Sequence, residues 1–182
     1  HVSRALTLTE WMDASIMDES NPELRDPGLD LYNPDNPNQA PYSEEFQARY
    51  QAAQIARNRR ITAWVKTKLN TLRAQGRPND EFAFTVHGTM AAPVWLDKTI
   101  DSNERQANSC FLGDPRVVNN GPVGLARFTT LRSWLSQWSY DESNANGIAD
   151  AANMSLPTLV ISNGADDACT PSHARRLFEA VA

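Results

Sequence analysis

The sequence predicts an α/β protein in which a long, mostly helical excursion leads into one strand, an acidic loop and a helix. Three observations carry this expectation. Residues 157–161 read Pro-Thr-Leu-Val-Ile, a short apolar run that stops at Asn163-Gly164. Asp166 and Asp167 follow in the loop, and Thr170-Pro171 opens a segment whose Ala174, Leu177, Phe178 and Val181 form an apolar stripe at helical spacing. Upstream, helical periodicity and turn formers dominate. Acids at the carboxyl end of a strand occupy the edge where open α/β sheets place their sites.

In chain order, residues 1–12 contain alternating apolar positions (Val2, Leu6, Leu8, then Trp11), which predict the end of a strand in a core segment. From Asp13 to Tyr42 the composition shifts to Pro22, Pro27, Pro34, Pro37 and Pro41 interleaved with Asn and Asp. That mixture forbids long regular elements and predicts a loop excursion. Ser43 is the expected N-cap of a helix with Glu44 and Glu45 in its first turn. Phe46, Tyr50, Ala53, Ile61, Trp64, Val65, Leu69 and Leu72 share its apolar side up to Ala74, and Gly76-Arg77-Pro78 stops it. A break near Arg57 would shorten this long helix, and Arg57, Arg59 and Arg60 are expected on a solvated face.

Phe82, Phe84 and Val86 alternate as a short strand, and residues 87–121 read as irregular. Pro122 begins a predicted helix with Leu125, Phe128, Leu131, Leu135 and Trp138 on its buried side. Asp141 to Asn153 is a polar linker into the strand at Pro157. Three segments result: 1–12 as core, 13–140 as a helical cap-like excursion, and 141–182 as linker, core strand, acid loop and helix. A continuous apolar strand such as Leu159–Ile161 suits a parallel sheet buried on both faces.

Composition narrows the function classes. The 182 residues carry a net charge of −5, with no excess of Lys and Arg to neutralise phosphates, so no nucleic-acid partner is expected. No run approaches the roughly 18 apolar residues of a membrane span. The two cysteines, Cys110 and Cys169, match no metal spacing and suit a reduced, cytoplasmic protein. Residues Glu142–Asp150 echo a calcium loop with Gly147 at the sixth position. The first position is Glu and the twelfth is Asn153, however, so a linker is the expectation, with no metal or cofactor.

The pattern Pro157-Thr-Leu-Val-Ile, then Gly164-Ala-Asp-Asp167, then Thr170-Pro171-Ser-His-Ala-Arg-Arg resembles the penultimate core strand and acid loop of α/β-hydrolase-fold proteins. The preceding excursion, including Leu125-Ala-Arg-Phe-Thr-Thr-Leu-Arg-Ser-Trp134, is similar in position and character to the helical caps of bacterial members. The resemblance implies a partial α/β-hydrolase fold with Asp167 in the place of the triad acid. It also implies an ester-like or related small-molecule substrate. In such a triad the acid fixes the tautomer of a His that activates the nucleophile. The chain contains no Gly-x-Ser-x-Gly elbow, and the family's catalytic His follows a later strand, so this chain alone is expected to be inactive. A non-catalytic binding module on the same fold is the rival expectation.

Against these stand plainer readings. Asp166 and Asp167 could simply form the turn. His173 is expected on a helix surface and His87 in a loop. Cys169 is expected to be a packed thiol with no His to activate it. Trp64, Trp95, Trp134 and Trp138 could line an acyl pocket, but the spacing of Trp134 and Trp138 favours plain core.

Overall fold

The computed structural model describes residues 4–181, so Val2 and Ala182 lie outside the described residues. Helices and two small antiparallel sheets make up the fold. Helix α1 (Arg4–Trp11) replaces the strand expected near the amino terminus. Leu8, Trp11 and Met12, all buried, fall at i, i+3 and i+4, and this helical spacing prevails over the alternation of Leu6 and Leu8. Strands β1 (Ile16–Asp18) and β2 (Asn21–Arg25) form a hairpin within the stretch expected to be loop. Asp18 Oδ1 closes its turn by accepting from the Ser20 amide (2.8 Å) and hydroxyl (2.7 Å).

The rest of that stretch is a chain of Asx turns, as its Asn/Asp content predicts. Asp26, Asp30, Asn33 and Asn36 each accept from the backbone N–H two residues on, at 2.8–3.0 Å.

Helix α2 (Glu44–Ala74) is continuous over 31 residues, so the break considered near Arg57 is not present. No Gly or Pro interrupts it, and Ser43 caps it by accepting from the Phe46 N–H at 3.2 Å. Gly76, at φ 73°, ends it in the left-handed conformation that a side chain would strain. Its inward face is apolar at both ends and polar in the middle. Gln54 donates to the carbonyls of Glu10 (2.8 Å) and Met12 (2.9 Å), and Asn58 donates to that of Trp138 (2.9 Å).

Arg57 corrects the solvated-face expectation. It is 1% exposed, forms a fork to Glu19 at 2.8 and 2.7 Å, and donates to the carbonyls of Asp13, His87 and Gly88. Arg59 and Arg60 are exposed as expected, although both hold carboxylates.

Strand β3 (Ala83–Thr85) forms where expected and pairs with β4 (Phe128–Thr130). Short helices α3 (Pro93–Leu96) and α4 (Pro115–Asn120) punctuate the irregular region between. The helix expected from Pro122 begins late. The chain turns at Ala126 (φ 55°), contributes β4, and only then winds into α5 (Leu131–Ser133) and a π-turn at Trp134–Trp138. The competing demand is the pairing of β4 with β3, which takes Phe128 out of the helical stripe.

Helix α6 (Gly147–Ala151) interrupts the expected linker, and α7 (Pro171–Ala180) starts where Thr170-Pro171 predicts. The strand expected at Leu159–Ile161 is not formed. Among the described residues both sheets are two-stranded and antiparallel, and residues 157–163 carry no regular structure. A buried strand needs neighbours on both sides, and none is present for this one. Leu156, Leu159 and Ile161 are consequently 72–84% exposed. The apolar stripe on α7 is likewise open at Phe178, while His173 is the helix's buried residue.

Three apolar clusters hold the fold. Leu8, Met12, Ile61, Val65 and Trp134 form one, Leu31, Tyr42, Phe46 and Tyr50 a second, and Trp11, Met90, Trp95 and Cys110 a third.

Candidate functional site

The acid loop is fixed by an unlikely-looking partner in sequence, the segment 95–105. Trp95 Nε1 donates to the Asp167 carbonyl (2.6 Å), Asn103 Nδ2 to the Asp166 carbonyl (2.8 Å), and the Glu104 amide to the Gly164 carbonyl (2.8 Å). Asp101 completes the attachment by accepting from the Ser172 N–H with both carboxylate oxygens, at 3.0 and 2.9 Å. That contact satisfies a donor at the start of α7 and matches the positive end of the helix.

Arg105 ties the 95–105 segment into a knot. It is 1% exposed and donates to the carbonyls of Val94, Asp97, Ile100 and Asp101. Burial lowers the pKa of its guanidinium, against the pull of Asp101, Asp97 and Asp167.

The two neighbouring acids have separate roles in this loop. Asp166 Oδ1 accepts from the Ala168 (2.9 Å) and Cys169 (2.7 Å) amides and forms the turn. Burial works to raise its pKa, but these hydrogen bonds outweigh it and hold the carboxyl below its ordinary range. For Asp167, burial and then the Asp166 charge both raise the pKa, while a hydrogen bond from its own backbone N–H and, less, the Arg105 charge oppose the rise. The turn-forming role therefore belongs to Asp166. The Asp167 carboxylate accepts from its own backbone N–H and feels the Arg105 charge, outside the turn that Asp166 forms.

Asp167 lines an open cleft of about 490 Å³ between the end of α1, the first half of α2 and the start of α7. The cleft also holds a charged cluster that the sequence did not announce. Glu10 Oε2 meets His173 Nε2 at 2.6 Å, and its Oε1 accepts from Arg176 Nη2 at 2.9 Å. His173 and Arg176 reach one carboxylate because they are three residues apart on α7. Burial tends to raise the Glu10 pKa, yet His173 and Arg176 together bring it below the ordinary value. The expectation of a surface His173 is thus corrected: it is 8% exposed and faces Glu10. The signal available in the sequence was the spacing of His173 and Arg176, but their partner, Glu10, is 163 residues away from His173.

Chemically, the cleft offers a carboxyl whose proton affinity is raised beside a Glu–His–Arg cluster. Two of its hydroxyls, Thr170 and Ser172, bond to Asp101, and the third, Tyr50, donates to the Ala91 carbonyl (3.1 Å). His87 lies elsewhere, in a separate polar cavity. Cys110 and Cys169 form no disulfide, and burial raises the Cys110 thiol pKa. Of the four tryptophans considered for an apolar pocket, Trp95 and Trp134 are fully buried core. Trp64 lines a different apolar groove of about 890 Å³, together with Met17, Leu24, Phe82 and Phe84.

No group of three or more His, Cys, Asp or Glu that could hold a metal occurs among the described residues. No helix is long and apolar enough to cross a membrane among them. No family model, curated protein or solved structure matches the chain.

Proposed function

We propose that this chain supplies the acid and the covering helices of a hydrolase-type site acting on an ester-like small molecule. Asp167 is the acid, and the nucleophile and its histidine come from residues outside this chain. The observation that supports this reading most is the state of Asp167. It stands on a cleft wall, in a loop held by Trp95, Asn103 and Glu104, with its carboxyl outside the turn that Asp166 forms. A triad acid requires such a mount, since it must orient an imidazole without being consumed by the turn that carries it. The exposed Leu159 and Ile161 agree with a strand whose sheet is completed by other residues.

The intact gene product is therefore expected to cleave a short-chain p-nitrophenyl ester. Asp167→Asn should lower kcat by about three to four orders of magnitude. Undiminished turnover in that variant would remove Asp167 from the mechanism.

A second reading, a non-catalytic binding module, draws on a specific observation. The Thr170 and Ser172 hydroxyls of the cleft are committed to Asp101 and that of Tyr50 to the Ala91 carbonyl, which leaves no activated nucleophile among them. Saturable binding of the ester without turnover by the intact protein would favour that reading.

A further inference from the structure

The fold buries three arginines so deeply that each needs an account of its charge: Arg57, Arg105 and Arg127 are 1%, 1% and 8% exposed. Arg57 has the carboxylate fork of Glu19. Arg105 has a ring of carbonyl oxygens. Arg127 has neither. Among the described residues, the one hydrogen bond of its guanidinium runs from Nη2 to the Asn119 carbonyl (3.0 Å), and its Nε is buried with no acceptor. No carboxylate forms an ion pair with it among the described residues. A second cation, Arg57, is close enough to disfavour its charge further, after burial itself. An uncompensated buried guanidinium is among the costlier arrangements a fold can keep.

The surroundings preserve that unsatisfied state. Thr89 Oγ1, also buried, has no partner either. A Cβ on Gly124 would sit 2.7 Å from Thr89 Oγ1, 3.1 Å from Arg127 Nη2 and 3.3 Å from Arg127 Nε. Glycine is therefore needed where the backbone passes the guanidinium.

Arg127 also lines a polar cavity of about 380 Å³ with Arg25, Tyr32, His87, Asn119 and Asn120, and with the carboxylates Glu23 and Asp30. This cavity shares no lining residue with the acid-loop cleft. The carboxylates nearby are accounted for without Arg127. Asp13 takes Arg25 (2.7 Å) and Asn119 (2.7 Å), Asp30 lies 3.8 Å from Arg25, and Glu23 is exposed.

We propose that this cavity binds a small ligand through an oxyanion group, a carboxylate or a phosphate, for which Arg127 is the counter-cation. The ligand's oxygens would take the Nη donors that the protein leaves unfilled, in the fork geometry suited to both groups. His87 and Asn120 stand on the same wall as further hydrogen-bonding groups. The proposal is independent of the hydrolase reading, because it concerns a different cavity.

The test is a thermal-shift and calorimetric titration with inorganic phosphate and, separately, malonate, each against chloride at matched ionic strength. A saturable rise in Tm is expected with at least one of them, and which one responds identifies the group. In Arg127→Met the affinity should fall about thirtyfold or more, while the ligand-free variant unfolds no more easily than the wild type. Should Arg127→Met fail to fold, the Arg127 Nε–H resonance of the wild type serves instead, and it should shift along the same titration. The absence of a saturable response to either oxyanion, an equal response in the variant, or an unmoved resonance would overturn the proposal.

Discussion

Glu10 and Asp167 face the same cleft, yet their surroundings drive their carboxyls in opposite directions. His173 and Arg176 outweigh burial at Glu10, so its pKa falls below 4.5, whereas burial and Asp166 push Asp167 above 3.8. The consequences for stability have opposite signs. Ionised Glu10 stabilises the fold above its unfolded pKa, and this contribution is lost as pH falls through the lower folded value. Ionised Asp167 opposes folding, and that penalty is absent below the unfolded pKa and complete once pH has risen past the folded value. Glu10→Gln should therefore be less stable than the wild type at neutral pH, with the gap closing as pH falls through the lowered folded pKa of Glu10. Asp167→Asn should be as stable as the wild type or more so at neutral pH, with that difference also vanishing in acid. Urea midpoints across the pH range would check both. A marked loss of stability in Asp167→Asn at neutral pH would make the residue a structural one, in conflict with its proposed role.

At the scale of elements, α2 carries local signals at both of its ends. Ser43 is its side-chain cap, so Ser43→Ala should lower the unfolding free energy by about 1 kcal/mol, and Ser43→Asp should restore it. Chemical denaturation would measure both. The same helix shows how far the sequence can be read. Its cap, its periodicity and its Gly76 stop are local signals, and helix α2, strand β3, the Asx-turn loop and the start of α7 were all legible from such signals. Pairings between distant segments were not. Arg57 looked solvated because its partners, Glu19 and the carbonyls near residues 13 and 87, come from other elements. Residues 122–130 followed the demands of the β3 partner over their own helical spacing. The loop that carries Asp167 was legible, and Asp167 lines the cleft. The Glu10–His173–Arg176 cluster and the 95–105 mount were not, because they depend on contacts that only the folded chain creates.

For the whole molecule, the three apolar clusters leave out one conspicuous apolar stretch. Residues 155–163 add nothing to them, and Leu159 and Ile161 are 84% and 74% exposed. Apolar side chains so exposed contribute little to folding stability and favour association. The double substitution Leu159→Ser with Ile161→Ser should thus leave the unfolding free energy of this chain within about 0.5 kcal/mol of the original, while raising the concentration at which it stays monodisperse. Leu8→Ala, at a position with no exposure, should cost about 2–5 kcal/mol and provides the contrast. In the intact gene product the hydrolase reading makes the opposite demand. There the same double substitution would strip a core strand and should cost several kcal/mol, by the large-to-small range of about 2–5 kcal/mol for each buried side chain. Equal tolerance in both settings would mean that residues 157–161 never enter a sheet, and Asp167 would lack the strand that its proposed role requires. A loss confined to the intact protein would place Leu159 and Ile161 in a core that this chain only helps to form.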